Sequence, residues 1–215
     1  ESKMTAIFFD LDGTLTDPKE GITKSVQYAL DEMGKVVPKV EDLLCCIGPP
    51  LRVSLTKFLK NSEEIERAML FFQKRYGTKG LYENILYEDI NSLLSELKNN
   101  NFKLYVATSK PHVYATKIIH HFGLSDYFES IFGSELDGTR STKTQLLEHA
   151  LSRIGCNPKG SYMVGDRMHD AIGAINNDMI PIGVLYGYGS KEELENADVR
   201  HLARKPKDIL KIVAE

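Results

Sequence analysis

Ala6-Ile7-Phe8-Phe9-Asp10-Leu11-Asp12-Gly13-Thr14 is the stretch on which the fold turns. A short apolar run with no polar alternation reads as a strand buried on both faces, as in a parallel sheet. It ends abruptly in a carboxylate-rich turn. Two acids two residues apart, leaving one strand end, can face one crevice and repel each other unless a cation lies between them. Mg²⁺ is hard and oxygen-seeking, and is commonly held by one or two carboxylates plus a substrate phosphate. With phosphate charge neutralised, one carboxylate can attack phosphorus and the other can move protons to the leaving oxygen and from water. Gly13 allows the backbone to turn tightly. The same residues also suit a plain turn, and the segment alone does not separate the two readings.

Working outward, Ile22, Val26, Ala29, Leu30 and Met33 recur at helical spacing until Gly34 stops the run. Further helices are predicted over 41–47, over 51–60 after Pro49-Pro50, and over 62–76 with Ile65, Ala68, Met69, Phe72 and Tyr76 on one face. No strand signal interrupts this stretch, so 16–84 reads as an all-helical block. From Glu88 helix and strand alternate. Helices are expected at 88–99, 111–122, 142–154, 168–177 and from 206. Strands are expected at 103–107, 130–133, 161–164, 181–184 and 198–202. Such alternation implies an α/β fold, a doubly wound parallel sheet of Rossmann-like type. Its core would comprise residues 1–15 and 85–215, with the small helical block 16–84 inserted after the first strand.

The chain has 215 residues, 42% hydrophobic and 27% charged, with a net charge of -3. That balance supplies no basic field for a nucleic-acid polymer. No apolar run approaches the roughly 20 residues of a membrane span, and Asp10 cuts the N-terminal apolar stretch too early for a leader peptide. Cys45, Cys46 and Cys156 show no bridging pattern, which points to reduced thiols and a cytoplasmic protein. Glu1-Ser2-Lys3 precede Met4 and read as a remnant ahead of the natural start.

Ligands of open parallel sheets bind beyond the carboxyl ends of the strands, and three further segments fall there. Thr108-Ser109, ahead of Pro111, offers hydroxyls and free N–H groups at a helix start, an anion site or an ordinary cap. Lys143, between Thr142 and Thr144, opposes the helix dipole at its N-terminal end. It suits a transferring phosphoryl group, although taken locally it reads more simply as a solvated lysine. In Gly165-Asp166-Arg167-Met168-His169-Asp170, Asp166 fits a further metal ligand. Asp170 lies one helical turn on, to brace it or pair with Lys143, and His169 reads as a rim histidine.

Asp10-Leu11-Asp12-Gly13-Thr14-Leu15-Thr16-Asp17, Thr108-Ser109-Lys110, Lys143 and the run from Gly165 to Asp170 resemble the four motifs of the haloacid dehalogenase-like hydrolase superfamily. Ile47-Gly48-Pro49-Pro50-Leu51 and Tyr186-Gly187-Tyr188-Gly189-Ser190 are similar to its phosphoglycolate phosphatase and 5′-nucleotidase-like subgroup. The resemblance implies Asp10 as nucleophile and Mg²⁺ ligand, and Asp12 as acid/base with its backbone carbonyl on the metal. Thr108, Ser109 and Lys143 would hold the phosphoryl group, Asp166 the metal, and Asp170 would support it. It also implies that 16–84 is a mobile cap. The acid at position 12 favours phosphoryl transfer over carbon–halogen cleavage, the family's dehalogenases lacking it. The expected partner is a small phosphorylated metabolite: phosphoglycolate, a nucleoside monophosphate or a sugar phosphate. A phosphomutase of the β-phosphoglucomutase type and a non-catalytic binding protein on the same fold are the alternatives. Within the block, Arg52 is the candidate for a second anionic group or a leaving-group contact, with Glu20 and Lys24 also placed to face the cleft. A monomer or weak homodimer is expected, with no membrane partner.

Overall fold

A computed structural model describes residues 4–215, so the reading of Glu1-Ser2-Lys3 falls outside the described residues. The first strand, β1 (Ala6–Phe9), is buried along its whole length. Its side chains alternate between two cores, as the two-residue period of a strand requires. Phe8 stacks on Tyr105 at 5.0 Å between ring centroids and packs with Leu146 and Leu147, while Ile7 and Phe9 join Val106 and Ile118 on the opposite face.

Beyond β1 the chain turns through β2 (Thr16–Asp17) into α1 (Lys19–Glu32), α2 (Leu51–Leu55) and α3 (Ser62–Tyr76), then returns through β3 (Ile85–Leu86). α1 and α3 bury their apolar faces together, Ile22, Val26, Ala29 and Leu30 with Ala68, Met69, Phe72 and Tyr76. Asn61 caps α3 by accepting the Glu64 N–H at 2.9 Å. The remainder runs α4 (Ile90–Asn99), β4 (Lys103–Pro111), α5 (His112–His121), β5 (Phe128–Ser134), α6 (Lys143–Ile154), β6 (Tyr162–Gly165), α7 (Met168–Asn176), β7 (Ile180–Val184), α8 (Lys191–Asn196), β8 (His201–Ala203) and α9 (Pro206–Val213). The six-stranded sheet has the order β5-β4-β1-β6-β7-β8, and every neighbouring pair is parallel. The order reverses at β1, which opens a crevice past its carboxyl end.

The expected α/β, doubly wound parallel sheet is thus present, with local differences. The helix read at 41–47 is a 3-10 helix, Val40–Cys46, and that read at 51–60 ends as α2 at Leu55. The helical block is not free of strand: β2 and β3 pair antiparallel, Thr16 opposite Leu86, as a ribbon where the block joins the sheet. Two-residue strands are too short to show a period. α4 begins two residues later than expected because Asp89 sits at φ 66, outside helical space. α8 was unexpected, yet Ser190 accepts the Glu193 N–H at 3.0 Å, the Ser-x-x-Glu start signal of a helix. No helix among the described residues is long and apolar enough to cross a membrane.

Candidate active site

Asp10 follows β1 directly and its N–H donates to the Val164 carbonyl of β6 at 2.8 Å. Its Oδ1 accepts two donors, the Leu11 N–H at 2.8 Å and Lys143 Nζ at 3.0 Å. The same Nζ lies 2.6 Å from Asp170 Oδ1. Lys143 is the first residue of α6 and only 5% exposed, so the local reading of a solvated lysine is corrected: the carboxylates facing it account for a cation at that helix start. Burial alone would lower its pKa, but Asp10 and Asp170 more than reverse this and hold the ammonium charged.

Asp166 leaves β6, and one carboxylate oxygen from each of Asp10, Asp166 and Asp170 lies within 4.8 Å of the others. Burial, then the Asp170 charge, pushes Asp10 well above the ordinary carboxylate range, with Lys143 opposing. The same two causes raise Asp166 to about 7, against the Tyr188 N–H, which donates to its Oδ2 at 2.8 Å. When all three are ionised, these buried carboxylates exceed the one ammonium facing them by two negative charges, which a divalent cation would balance. Asp166 Oδ1 and Asp12 Oδ1 are also buried with no hydrogen-bond partner. An all-oxygen donor set with orphaned acceptors fits a hard cation. The turn is built for this crowding. Gly13 has φ 83, and a Cβ there would lie 2.2 Å from Asp166 Oδ2.

Thr108 and Ser109 are buried near the end of β4, two and three residues beyond Val106, the register partner of Phe9. Thr108 Oγ1 accepts the Lys110 N–H at 3.1 Å, and the Ser109 carbonyl accepts the Ser134 hydroxyl at 2.8 Å. Ser109 also borders a cavity of about 60 Å³ above Asp12, walled by α1, α3 and the segment 46–51.

Lys110, Tyr76, Arg167, Glu193 and Tyr188 carried no assigned role in the sequence. Lys110 Nζ lies 3.1 Å from Asp12 Oδ2, donates to the Tyr76 hydroxyl of α3, and sits 4.2 Å from the Tyr76 ring centroid. Arg167 holds Glu193 through Nε at 2.9 Å and Nη2 at 3.2 Å, and reaches the Ile47 carbonyl with Nη1 at 3.2 Å. Tyr188 donates its hydroxyl to Asp17 of the ribbon. A lysine directly after the Thr-Ser pair was the one visible signal; the partners of the others are distant in sequence.

Arg52 lies apart from the Asp12 cavity. It pairs with Glu66, Nε to Oε1 at 2.6 Å, donates to the Leu136 carbonyl at 3.0 Å, and borders a smaller cavity of about 40 Å³ that also touches Ser109. Glu20 and Lys24 pair with each other at 2.5 Å on the side of α1 near Glu83, in a different hollow. His169 is half-buried, with Nδ1 unpartnered.

The family description "Haloacid dehalogenase-like hydrolase" matches residues 7–184. The chain belongs to the haloacid dehalogenase-like hydrolases. It is 44% identical over 196 residues to a 5′-nucleotidase of Pseudomonas aeruginosa, covering 91% of this chain and 89% of that one. It is 36% identical over 189 residues to a Mycobacterium tuberculosis protein named Tyrosine-protein kinase PtkA, covering 88% of this chain and 65% of that one. The crystal structure of a "predicted phosphatase" from Clostridium acetobutylicum superposes with a TM-score of 0.95 at 40% identity, over 99% of each chain. Within the haloacid dehalogenase-like hydrolases this chain is an enzyme of the phosphatase class.

Proposed function

We propose that the chain is a Mg²⁺-dependent phosphatase that hydrolyses a small phosphomonoester through a phosphoaspartate on Asp10. The observation that carries the reading is the cluster of the Asp10, Asp166 and Asp170 carboxylates, two of them paired with the buried Lys143. Asp10, the Asp12 backbone carbonyl and Asp166 would hold the metal, with Asp170 in support. When bound, Mg²⁺ supplies charge neutralisation for the phosphate oxygens.

Asp10 Oδ1 is engaged by Lys143 and the Leu11 N–H, which leaves Oδ2 to attack phosphorus. The phosphorus–oxygen ester bond breaks as the Asp10–phosphorus bond forms. Asp12, carrying a proton in the substrate complex, gives it to the departing alkoxide. Thr108, Ser109 and Lys143 hold the phosphoryl oxygens. The Asp12 carboxylate then takes a proton from a water that attacks the phosphoaspartate, releasing inorganic phosphate and restoring Asp10.

Residues 16–84 act in this reading as a cap over a core formed by 1–15 and 85–215, excluding bulk water from the phosphoenzyme. The substrate is a small cytoplasmic metabolite. The test is Mg²⁺-dependent release of phosphate across a panel of phosphomonoesters by the intact protein and by Asp10→Asn. Activity in the intact protein that disappears in Asp10→Asn is expected. An Asp10→Asn variant that keeps most of the activity sinks the covalent route.

A further inference from the structure

We infer that the leaving group of the substrate is an uncharged, largely apolar alcohol that carries no second anion. This rests on the phosphatase reading and sharpens it to a substrate class. The cavity above Asp12, where a leaving group must sit to receive its proton, is walled by Ile22, Leu51, Met69, Phe72, Tyr76 and Tyr114. Lys110 is the one cation lining it, and its charge is already held by Asp12 at 3.1 Å.

Four cations of the helical block, none of them lining this cavity, are paired with acids. Glu66 and the Leu136 carbonyl take Arg52. Glu83 binds Arg75 at 2.7 Å, Glu20 binds Lys24, and Glu64 binds Lys35 at 2.6 Å. A carboxylate or second phosphate entering the cavity would meet an apolar wall beside the Asp12 carboxylate. To gain a partner it would have to draw Lys110 away from both Asp12 and the Tyr76 hydroxyl, and a buried charge without a partner is strongly unfavourable. In this structure the cavity, about 60 Å³, admits only a few atoms. A larger alcohol therefore enters with the block displaced; the Arg52–Glu66, Arg75–Glu83 and Lys35–Glu64 pairs each lie within the block and move with it.

The inference is tested with matched esters and Mg²⁺: ethyl phosphate against 2-phosphoglycolate, glycerol 3-phosphate against 3-phosphoglycerate, and benzyl phosphate against its 4-carboxy derivative. The uncharged member of each pair should have the higher kcat/KM, by about tenfold or more given the burial of the site. Equal or reversed preference in two of the three pairs overturns the inference while leaving the phosphatase reading intact. Absence of phosphate release from every ester overturns that reading, and the inference with it. A second arm supplies the missing charge. Gln73 lines the cavity and donates to the Leu136 carbonyl at 3.3 Å. Gln73→Arg should shift the ratio towards the carboxylate member by about tenfold, an unpaired cation being what the cavity lacks, whereas Gln73→Leu should leave the ratio unmoved. A Gln73→Arg protein that folds, by its melting temperature, without moving the ratio counts against the charge argument.

Discussion

Lys110 and Asp12 form a buried ion pair, Nζ to Oδ2 3.1 Å, that Tyr76 of α3 closes from the other side. The carboxylate-bearing turn after β1 and the helical block therefore meet at one ammonium group. Lys110→Met keeps most of the side-chain volume and removes the charge that orients Asp12. On an alkyl phosphate, kcat should fall by about 10²-fold, the scale of an acid/base contribution, with KM little changed. Nitrophenyl phosphate, whose leaving group needs little protonation, should suffer less in the burst of the first turnover. Tyr76→Phe, which retains the 5.0 Å stack on Phe72, should cost about 1 kcal/mol of stability, the worth of one hydrogen bond. Steady-state and burst kinetics with thermal melts check both.

Chelation should abolish phosphate release, and Mg²⁺ should restore it. The three facing carboxylates also predict a readout that needs no turnover. Saturating Mg²⁺ should raise the melting temperature by about 5 °C or more, since it binds the folded state alone. Asp166→Asn should lose most of that response in a differential scanning experiment.

Arg167 spans from Glu193 to the Ile47 carbonyl and so ties the segment before α2 to the loop that carries Asp166. Arg167→Gln should destabilise the protein by about 2 kcal/mol, the range for charge-assisted hydrogen bonds. Amide exchange around 46–49 should quicken before exchange in β1 or β6 changes, as mass spectrometry of exchanged peptides can show.

Burial, reinforced by Cys45, pushes the Cys46 thiol up to about 12. Only the thiolate is nucleophilic, so Cys46 should resist iodoacetamide in the native protein at pH 8 and react once the chain is denatured. Raising the pH towards 10 should change its native labelling little, because the thiol remains protonated below its shifted pKa. Peptide mapping after alkylation decides.

The sheet was readable because each core strand is apolar and each helix periodic, and because polar residues fall at their carboxyl ends. Asp10, Asp12, Thr108, Ser109, Lys143, Asp166 and Asp170 are all buried there. What escaped depends on pairs that no local pattern encodes. Lys110 needs Tyr76, 34 positions away, and Arg167 needs Ile47, 120 positions away. Lys143 could be weighed only once its acids were in view, since a lysine at a helix start has no local reason to be buried. Arg52, beside the Pro-Pro turn, pairs with Glu66 about one turn into α3, a partner that no local spacing announces.

The ribbon of β2 and β3 brings Thr16 and Leu86 side by side. A segment that departs and returns through paired residues is a closed excursion, and its length is independent of the sheet's connectivity. A brief hairpin turn joining Thr16 to Leu86 would preserve every register between β1 and its neighbours. The helical block thus leaves and rejoins the sheet at one point, so its length need not disturb the strand registers, while Tyr76 and Ile47 tie its chemistry to the floor below.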